Sequence, residues 1–358
     1  MKRIALIALT LLACSKGSKT NDQPAGSGGG AAKPAPGGGG DVTLNASGST
    51  FQKAFQEEAI AEFTKTNPGV KINYGGGGSG KGRQDLSDMV TDFAGSDSAF
   101  KDADLAKVKG GDVLYFPVVL GAVTISYNVD GVDKLQLSPD TVAKIFQRSI
   151  KKWNDPAIVA DNPGAKLPAT DIVVVHRADG SGTTDIFTKF LDGASTTEWK
   201  LKSGSTVEWP ADTQAGQGNG GVAQLVKSTA GAIGYVDLSD AKASGLKYAS
   251  VKNGAGKYIE PNAASVSAAG EGVDVKDNLV FSAVNAKGEA AYPIAGQSYI
   301  IVYAKQTNAA KANAVKAYLG YLLTDGQKLL EPLDFAPLPK GLADKAIGQL
   351  AKIQSAGA

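Results

Sequence analysis

Short β-branched or alternating runs, each followed by a turn of small polar residues and then by a helical stripe, recur along this chain. Val42 to Ala46 alternates as a strand and runs into Ser47-Gly48-Ser49-Thr50-Phe51. Phe51, Phe55, Ala59 and Phe63 then recur every four residues, which predicts one apolar stripe of a helix. Val70 to Tyr74 reads as the next strand, followed by a glycine-rich loop, Gly75 to Gly82, and a helical stretch from Arg83 to Val90. A third unit, Asp92-Phe93-Ala94-Gly95-Ser96-Asp97-Ser98, places Asp97 just past a short apolar strand. The most complete unit begins at Ile172 to Val175, a buried-strand run. It turns through Arg177-Ala178-Asp179-Gly180-Ser181-Gly182-Thr183-Thr184, and Ile186, Phe187, Phe190 and Leu191 then fall at helical spacing.

Two extended crossings divide these units. Tyr115 to Gly121, continued by Ala122 to Asn128, leads into a second half of the chain. There Ser138-Pro139 marks a helix start with proline in its first turn. A loose loop, Gly216-Gln217-Gly218-Asn219-Gly220-Gly221, precedes a helix to Ser228 and the strand Ala232 to Val236. Tyr292-Pro293-Ile294 into Tyr299 to Tyr303 brings the chain back, and the alanine-rich helix Ala309 to Leu323 is expected to pack on the first half. Two crossings predict two α/β lobes joined by a hinge, with a ligand bound between helix N-termini of both lobes.

Composition narrows the class. A chain of 358 residues is long for one core. Lys+Arg is 37 against Asp+Glu 35, so no strong field points to nucleic acid or to an anionic membrane. The first residues carry a different signal. Lys2 and Arg3 precede an apolar run, Ile4 to Leu12, far shorter than the ~20 residues of a membrane span. Leu11-Leu12-Ala13-Cys14 then resembles a bacterial lipoprotein signal, in which Cys14 becomes the lipidated first residue; an ordinary signal peptide with a chance cysteine is the alternative. Cys14 is the only cysteine, so lipidation would leave no thiol for a disulfide or a nucleophile. Residues 15–41 are rich in glycine and proline without large apolar side chains, and read as a flexible tether reaching about 30 Å.

The turns hold the candidate chemistry. A strand feeding a glycine-rich turn into a helix start gathers free backbone N–H groups and the positive end of a helix dipole. Ser181 and Thr183 add hydroxyls, and Arg177 adds a fork of donors suited to a tetrahedral oxyanion. A plain N-cap role for Ser181 or Thr183 would explain the same residues. Gly75, Gly80 and Lys81 nearly spell a nucleotide-binding loop, but Gly82 stands where a magnesium-binding Ser or Thr belongs. The anion-holding unit survives that rejection, with Ser79 at its helix entrance. Asp97 beside such turns is explained by a ligand that keeps a proton to donate, whereas a fully ionised anion would be repelled. Catalysis by Ser181 would need a base, and His176, the only histidine, sits on the strand where a packed role is expected. No grouping of His, Asp and Glu has metal-ligand spacing. An anion-sensing or adhesive surface protein is a further alternative.

From about Val42 to Leu342 the chain resembles the phosphate-binding proteins of bacterial Pst-type ABC importers. The most specific pieces are Arg177 to Thr183, Phe93 to Asp97, Gly48-Ser49-Thr50-Phe51, Lys152-Trp153-Asn154-Asp155-Pro156 and Gly231 to Val236. The resemblance implies a two-lobed α/β fold of the class II periplasmic-binding-protein type, each lobe a mixed sheet flanked by helices, joined by a two-strand hinge. Lobe 1 would comprise 42–118 plus 297–358, lobe 2 would comprise 122–293, and the hinge would lie near 118–122 and 293–297. It further implies that Thr50 and Ser79 donate hydroxyls to phosphate, that the Phe51 N–H donates, and that Asp97 accepts the ligand's proton. Arg177 would pair with phosphate while held by Asp179, and Ser181, Gly182 and Thr183 would complete the cage. Gln52 stands where the family often has proline, a departure expected to bear only on the stiffness of the helix entrance. The implied protein is a non-catalytic, extracytoplasmic, lipid-anchored monomer without metal or cofactor that delivers inorganic phosphate to an ABC permease.

Overall fold

The computed structural model describes residues 41–356. The signal and most of the tether, with Cys14, lie outside the described residues. Nine strands form one sheet: β1 (Val42–Gly48), β2 (Val70–Gly76), β3 (Phe93–Ser96), β4 (Val113–Asn128), β5 (Val173–Arg177), β6 (Gln214–Gly216), β7 (Ala232–Asp237), β8 (Lys247–Tyr248) and β9 (Ala295–Tyr303). Their order is β2-β1-β3-β9-β4-β7-β5-β6, with β8 pairing on β4. The α/β class follows from this path.

β4 joins the halves. Its 16 residues are long enough, at about 3.3 Å each, to serve two neighbours in turn. Val113 to Ala122 pair antiparallel with β9, and Val123 to Asn128 pair antiparallel with β7. The two mixed sheets expected from the sequence are therefore continuous through the two crossing strands. Pro117 sits inside β4, which a central strand tolerates only where the ladder is interrupted. The register slips there, so that Ser298 faces Val119 while Tyr299 faces Pro117.

Parallel pairing fixes where the turns emerge. β1 runs parallel to β2 and to β3, so the turns after Gly48, Gly76 and Ser96 leave from one edge. In the other half β5 is parallel to β7 and β6, which brings the ends at Arg177, Gly216 and Asp237 together.

Among the helices that flank these strands or open from their turns are α1 (Lys53–Thr66), α2 (Ser79–Ser87), α3 (Pro139–Phe146), α4 (Gly182–Ala194), α5 (Gly218–Ser228) and α6 (Ala309–Leu323). The predicted stripe of α1 is buried at Phe55, Ala59 and Phe63, each phenylalanine worth about 1.5–3 kcal/mol of burial. Phe63 meets Tyr318 of α6 edge-on at 5.2 Å, which docks α6 on the first half as expected. Ser138 caps α3, accepting from the Thr141 N–H. In the second half Phe187 of α4 stacks on Tyr235 of β7 at 4.5 Å, and Trp153, fully buried, donates its indole N–H to Gly231 O at 3.0 Å. Among the described residues no helix is long and apolar enough to cross a membrane.

Candidate functional site

The turns of the two halves meet. The Gly80 N–H, in the first turn of α2, donates to Gly180 O at 2.8 Å, and the Asn219 N–H, at the start of α5, donates to Thr50 Oγ1 at 3.2 Å. Each turn is short because glycine allows it. At Gly78, with φ +88°, a Cβ would lie 2.0 Å from Asp179 Oδ2, so only glycine fits.

Arg177 ends β5 with a side chain only 1% exposed. Its Nε donates to Asp179 Oδ1 at 2.8 Å and its Nη2 to Asp179 Oδ2, a two-pronged pair. Nη1 donates to Asn219 Oδ1 at 2.8 Å and to Thr183 Oγ1 at 3.3 Å. One Nη2 hydrogen thus keeps no acceptor among the described residues. Burial pushes the Asp179 carboxyl up, but the bonds and charge of Arg177 outweigh it and leave Asp179 below the usual range. The Gly218 N–H adds a further bond to Asp179 Oδ1 at 3.0 Å. Tyr235 braces both ends of this turn. Its hydroxyl accepts from the Arg177 N–H at 3.2 Å and lies 2.7 Å from Thr184 Oγ1.

Facing this cation is a buried acceptor. Asp97 follows β3 and is 1% exposed. Ser49 and Ser298 both donate to its Oδ1 at 2.5 Å, and Ser79 donates to Oδ2 at 3.1 Å. Burial raises the Asp97 carboxyl above the usual range, against the three serine bonds and the charge of Arg177.

The nine candidates lie in this meeting place in different conditions. Thr50 is half-buried, and its hydroxyl accepts from Asn219, which leaves its proton to donate. Phe51 is buried, and its N–H donates to Ser49 Oγ at 3.1 Å, so this donor already has a partner. Ser79 is the first residue of α2 and fully buried. Ser181 is the N-cap of α4, accepting from the Thr184 N–H at 3.0 Å with its own proton left over. Gly182 follows directly, and Thr183 is buried against Arg177. A Cβ on Gly182 would stand 2.4 Å from both Asp97 Oδ2 and Ser79 Oγ. The two halves therefore touch at a backbone atom that has no room for a side chain.

Gly182→Ala isolates that contact. Alanine is the better helix former by about 1 kcal/mol, so α4 should not suffer. The expected result is affinity for an anion in this site at least tenfold weaker, with an unchanged or raised melting temperature of the ligand-free protein. Calorimetry and thermal unfolding measure both; equal affinity would mean that the turns separate without loss.

Five residues of the cluster escaped sequence reasoning as contributors: Ser49, Gln52, Asn219, Asp237 and Ser298. Asn219 bonds Arg177, donates its Nδ2 to Asp237 Oδ2 at 2.7 Å and reaches Thr50, so it ties the cation to the opposite half. Its sole signal was a glycine-rich loop around a polar residue. That loop is not loose: Gln214–Gly216 is strand and Gly218 opens α5. Gln52 is fully buried and donates to Ser298 Oγ at 2.8 Å and to Tyr299 O at 2.9 Å. Its departure from proline bears on the site itself and not only on helix stiffness. His176, by contrast, stacks on Trp209 at 5.1 Å with its Nδ1 3.0 Å from Arg177 O, and burial lowers its pKa. Among the described residues no group of His, Cys, Asp and Glu is arranged to hold a metal ion.

Comparison with known proteins places this arrangement. The PBP superfamily domain model matches residues 29–326. The chain is 37% identical over 309 residues to the phosphate-binding protein PstS of Xylella fastidiosa, covering 84% of this chain and 83% of that one. It is 40% identical over 315 residues to phosphate-binding protein PstS 3 of Mycobacterium leprae, covering 84% of each. Its fold matches that of the high-affinity periplasmic phosphate-binding protein PfluDING, solved with phosphate bound, with a TM-score of 0.73, 23% identity, and 86% and 94% of the two chains covered. The chain belongs to the PstS family of phosphate-binding proteins, within the PBP superfamily.

Proposed function

We propose that this chain captures inorganic phosphate between its two lobes and delivers it to an ABC-transporter permease, without catalysis. One observation supports this most directly. A buried arginine, already neutralised by Asp179, keeps one N–H without an acceptor among the described residues, in a cluster that also holds hydroxyls of both halves and a buried carboxylate. That set suits an anion that both accepts and donates hydrogen bonds. The binding set is Thr50, Phe51, Ser79, Asp97, Arg177, Asp179, Ser181, Gly182 and Thr183, to which Asn219 is added. The lobes are 42–118 plus 297–358 and 122–293, hinged near 118–122 and 293–297, where β4 and β9 cross. Separation at that hinge would expose the site and closure would surround the anion. The mature chain is extracytoplasmic, a monomer, and anchored through lipidated Cys14 on the tether.

Calorimetric titration of phosphate-stripped protein with phosphate, arsenate and sulfate tests the reading. One phosphate per chain should bind, arsenate should follow it, and sulfate should bind far more weakly. Incubation with a phosphomonoester should release no product. Turnover of the ester, or equal binding of sulfate, would overturn the proposal.

A further inference from the structure

We propose that Gln52 and Ser298 are positioning residues that hold Asp97 to the role of acceptor and leave its Oδ2 for the ligand's proton. The inference rests on the reading of Asp97 as the group that accepts that proton.

The hydrogen-bond directions are determined by the partners. Tyr318 OH donates to Gln56 Oε1 at 2.8 Å, which leaves the Gln56 amide nitrogen to donate to Gln52 Oε1 at 2.8 Å. The other end of Gln52 faces Tyr299 O at 2.9 Å, an atom that only accepts, so that end is the nitrogen. It therefore also donates to Ser298 Oγ. Ser298 has one proton, and with Gln52 donating into it, that proton goes to Asp97 Oδ1 at 2.5 Å. Ser49 donates to Asp97 Oδ1 as well, and its oxygen accepts from the Phe51 N–H for as long as no anion claims that donor. Tyr318, Gln56, Gln52, Ser298, Ser49 and Asp97 are all at most 1% exposed, so water does not relax the chain.

Two consequences arise for Asp97. Oδ1 has both its acceptor sites filled, so neither a ligand nor a proton has room there. Among the described residues Oδ2 carries only the longer 3.1 Å bond from Ser79, and it lies against Gly182, where the halves meet. Its remaining capacity faces the anion site. A proton on Asp97 would have to sit on Oδ2, which would convert the acceptor into a donor and admit an anion that has no proton to give. The relay opposes this by stabilising the ionised form.

The other groups around Asp97 are few. The charge of Arg177 acts on it, Arg83 on α2 does so too with its Nη1 on Ser96 and Ser98, and Tyr74 on β2 bonds Ser49 O. On β9 the Tyr299 hydroxyl is engaged with Phe281, and on α4 Asp185 is paired with Lys189. Among the described residues none of these side chains is hydrogen-bonded to that of Gln52, so the relay can be altered separately.

Ser298→Ala is the cleaner variant, because Gln52 keeps its bond to Tyr299 O. Gln52→Leu removes the other link. Sulfate affinity is measured from pH 5 to 8.5 for both, beside wild type and Asp97→Asn, with melting temperatures as the check on folding. In Ser298→Ala, which loses one bond to the charged carboxylate, sulfate should bind about tenfold more tightly at pH 7, and in Gln52→Leu, which only frees the Ser298 proton to turn elsewhere, by a smaller factor of about threefold. The whole sulfate-against-pH curve should move toward higher pH, while phosphate affinity at pH 8 stays within about threefold. Asp97→Asn should bind sulfate independently of pH. If it does, and both relay variants trace the wild-type curve, the inference is overturned. If Asp97→Asn itself still excludes sulfate, the reading of Asp97 fails and the inference with it.

Discussion

Arg177→Ala should weaken phosphate binding by at least a hundredfold. The guanidinium is buried and preorganised, held on one side by Asp179 and on another by Asn219. A charge-assisted bond in such a place contributes about 1.5–3 kcal/mol. Removal also strands Asp179, whose carboxylate then sits uncompensated beside an incoming anion. Truncating one member of a buried charge pair costs about 2–5 kcal/mol for that reason. Arg177→Lys should recover little, because a point charge cannot grip Asp179 with two prongs and reach Asn219 as well. Calorimetry on phosphate-stripped protein gives the number. Affinity within about threefold of wild type would remove Arg177 from the site.

Asp97→Asn should cost the protein its preference for phosphate over sulfate. The two anions are similar in size and shape, so N–H and O–H donors serve both nearly alike. Only a group that requires the ligand's proton tells them apart. A buried site built to use a ligand's hydroxyl can reject the analogue lacking it by ~10⁴ or more, since its own polar group is left unpaired. Asparagine keeps the shape, removes the charge and supplies an N–H donor where Oδ2 now accepts. Sulfate affinity should rise by two or more orders of magnitude, as read by competition titration at pH 7.5. Sulfate excluded as strongly as before would place the discrimination elsewhere.

The strands and helices were legible because their signals are local. The Phe51 to Phe63 stripe, the β-branched run at Ile172 to Val175 and the Ser138-Pro139 start each declare themselves within a few residues. Boundaries moved where glycine misled. The helix after Gly75 to Gly78 begins at Ser79, earlier than the charged stretch suggested, and α5 begins inside what reads as a loop. Glycine is a poor helix former in the interior, but in a first turn it lets another backbone approach, as Gly80 does with Gly180.

What the sequence alone determined about this protein is the set of turns. A strand, small residues and a helix start must gather backbone donors wherever they occur, because the first N–H groups of a helix lack partners within it. Arg177, Ser181, Thr183, Ser79 and Asp97 could be named on that ground and on resemblance. The partners of those residues were decided only by the tertiary structure. Ser298 lies 201 positions from Asp97, and Gln52 lies 246 from Ser298. Asn219 meets Thr50 across 169. No periodicity encodes such pairs, since an apolar β run reads the same whether its one serine faces a neighbour or a buried carboxylate. The sheet order, which sets β9 between β3 and β4, places Ser298 beside Asp97. A buried carboxylate cannot remain without donors, so that placement settles which serine serves it.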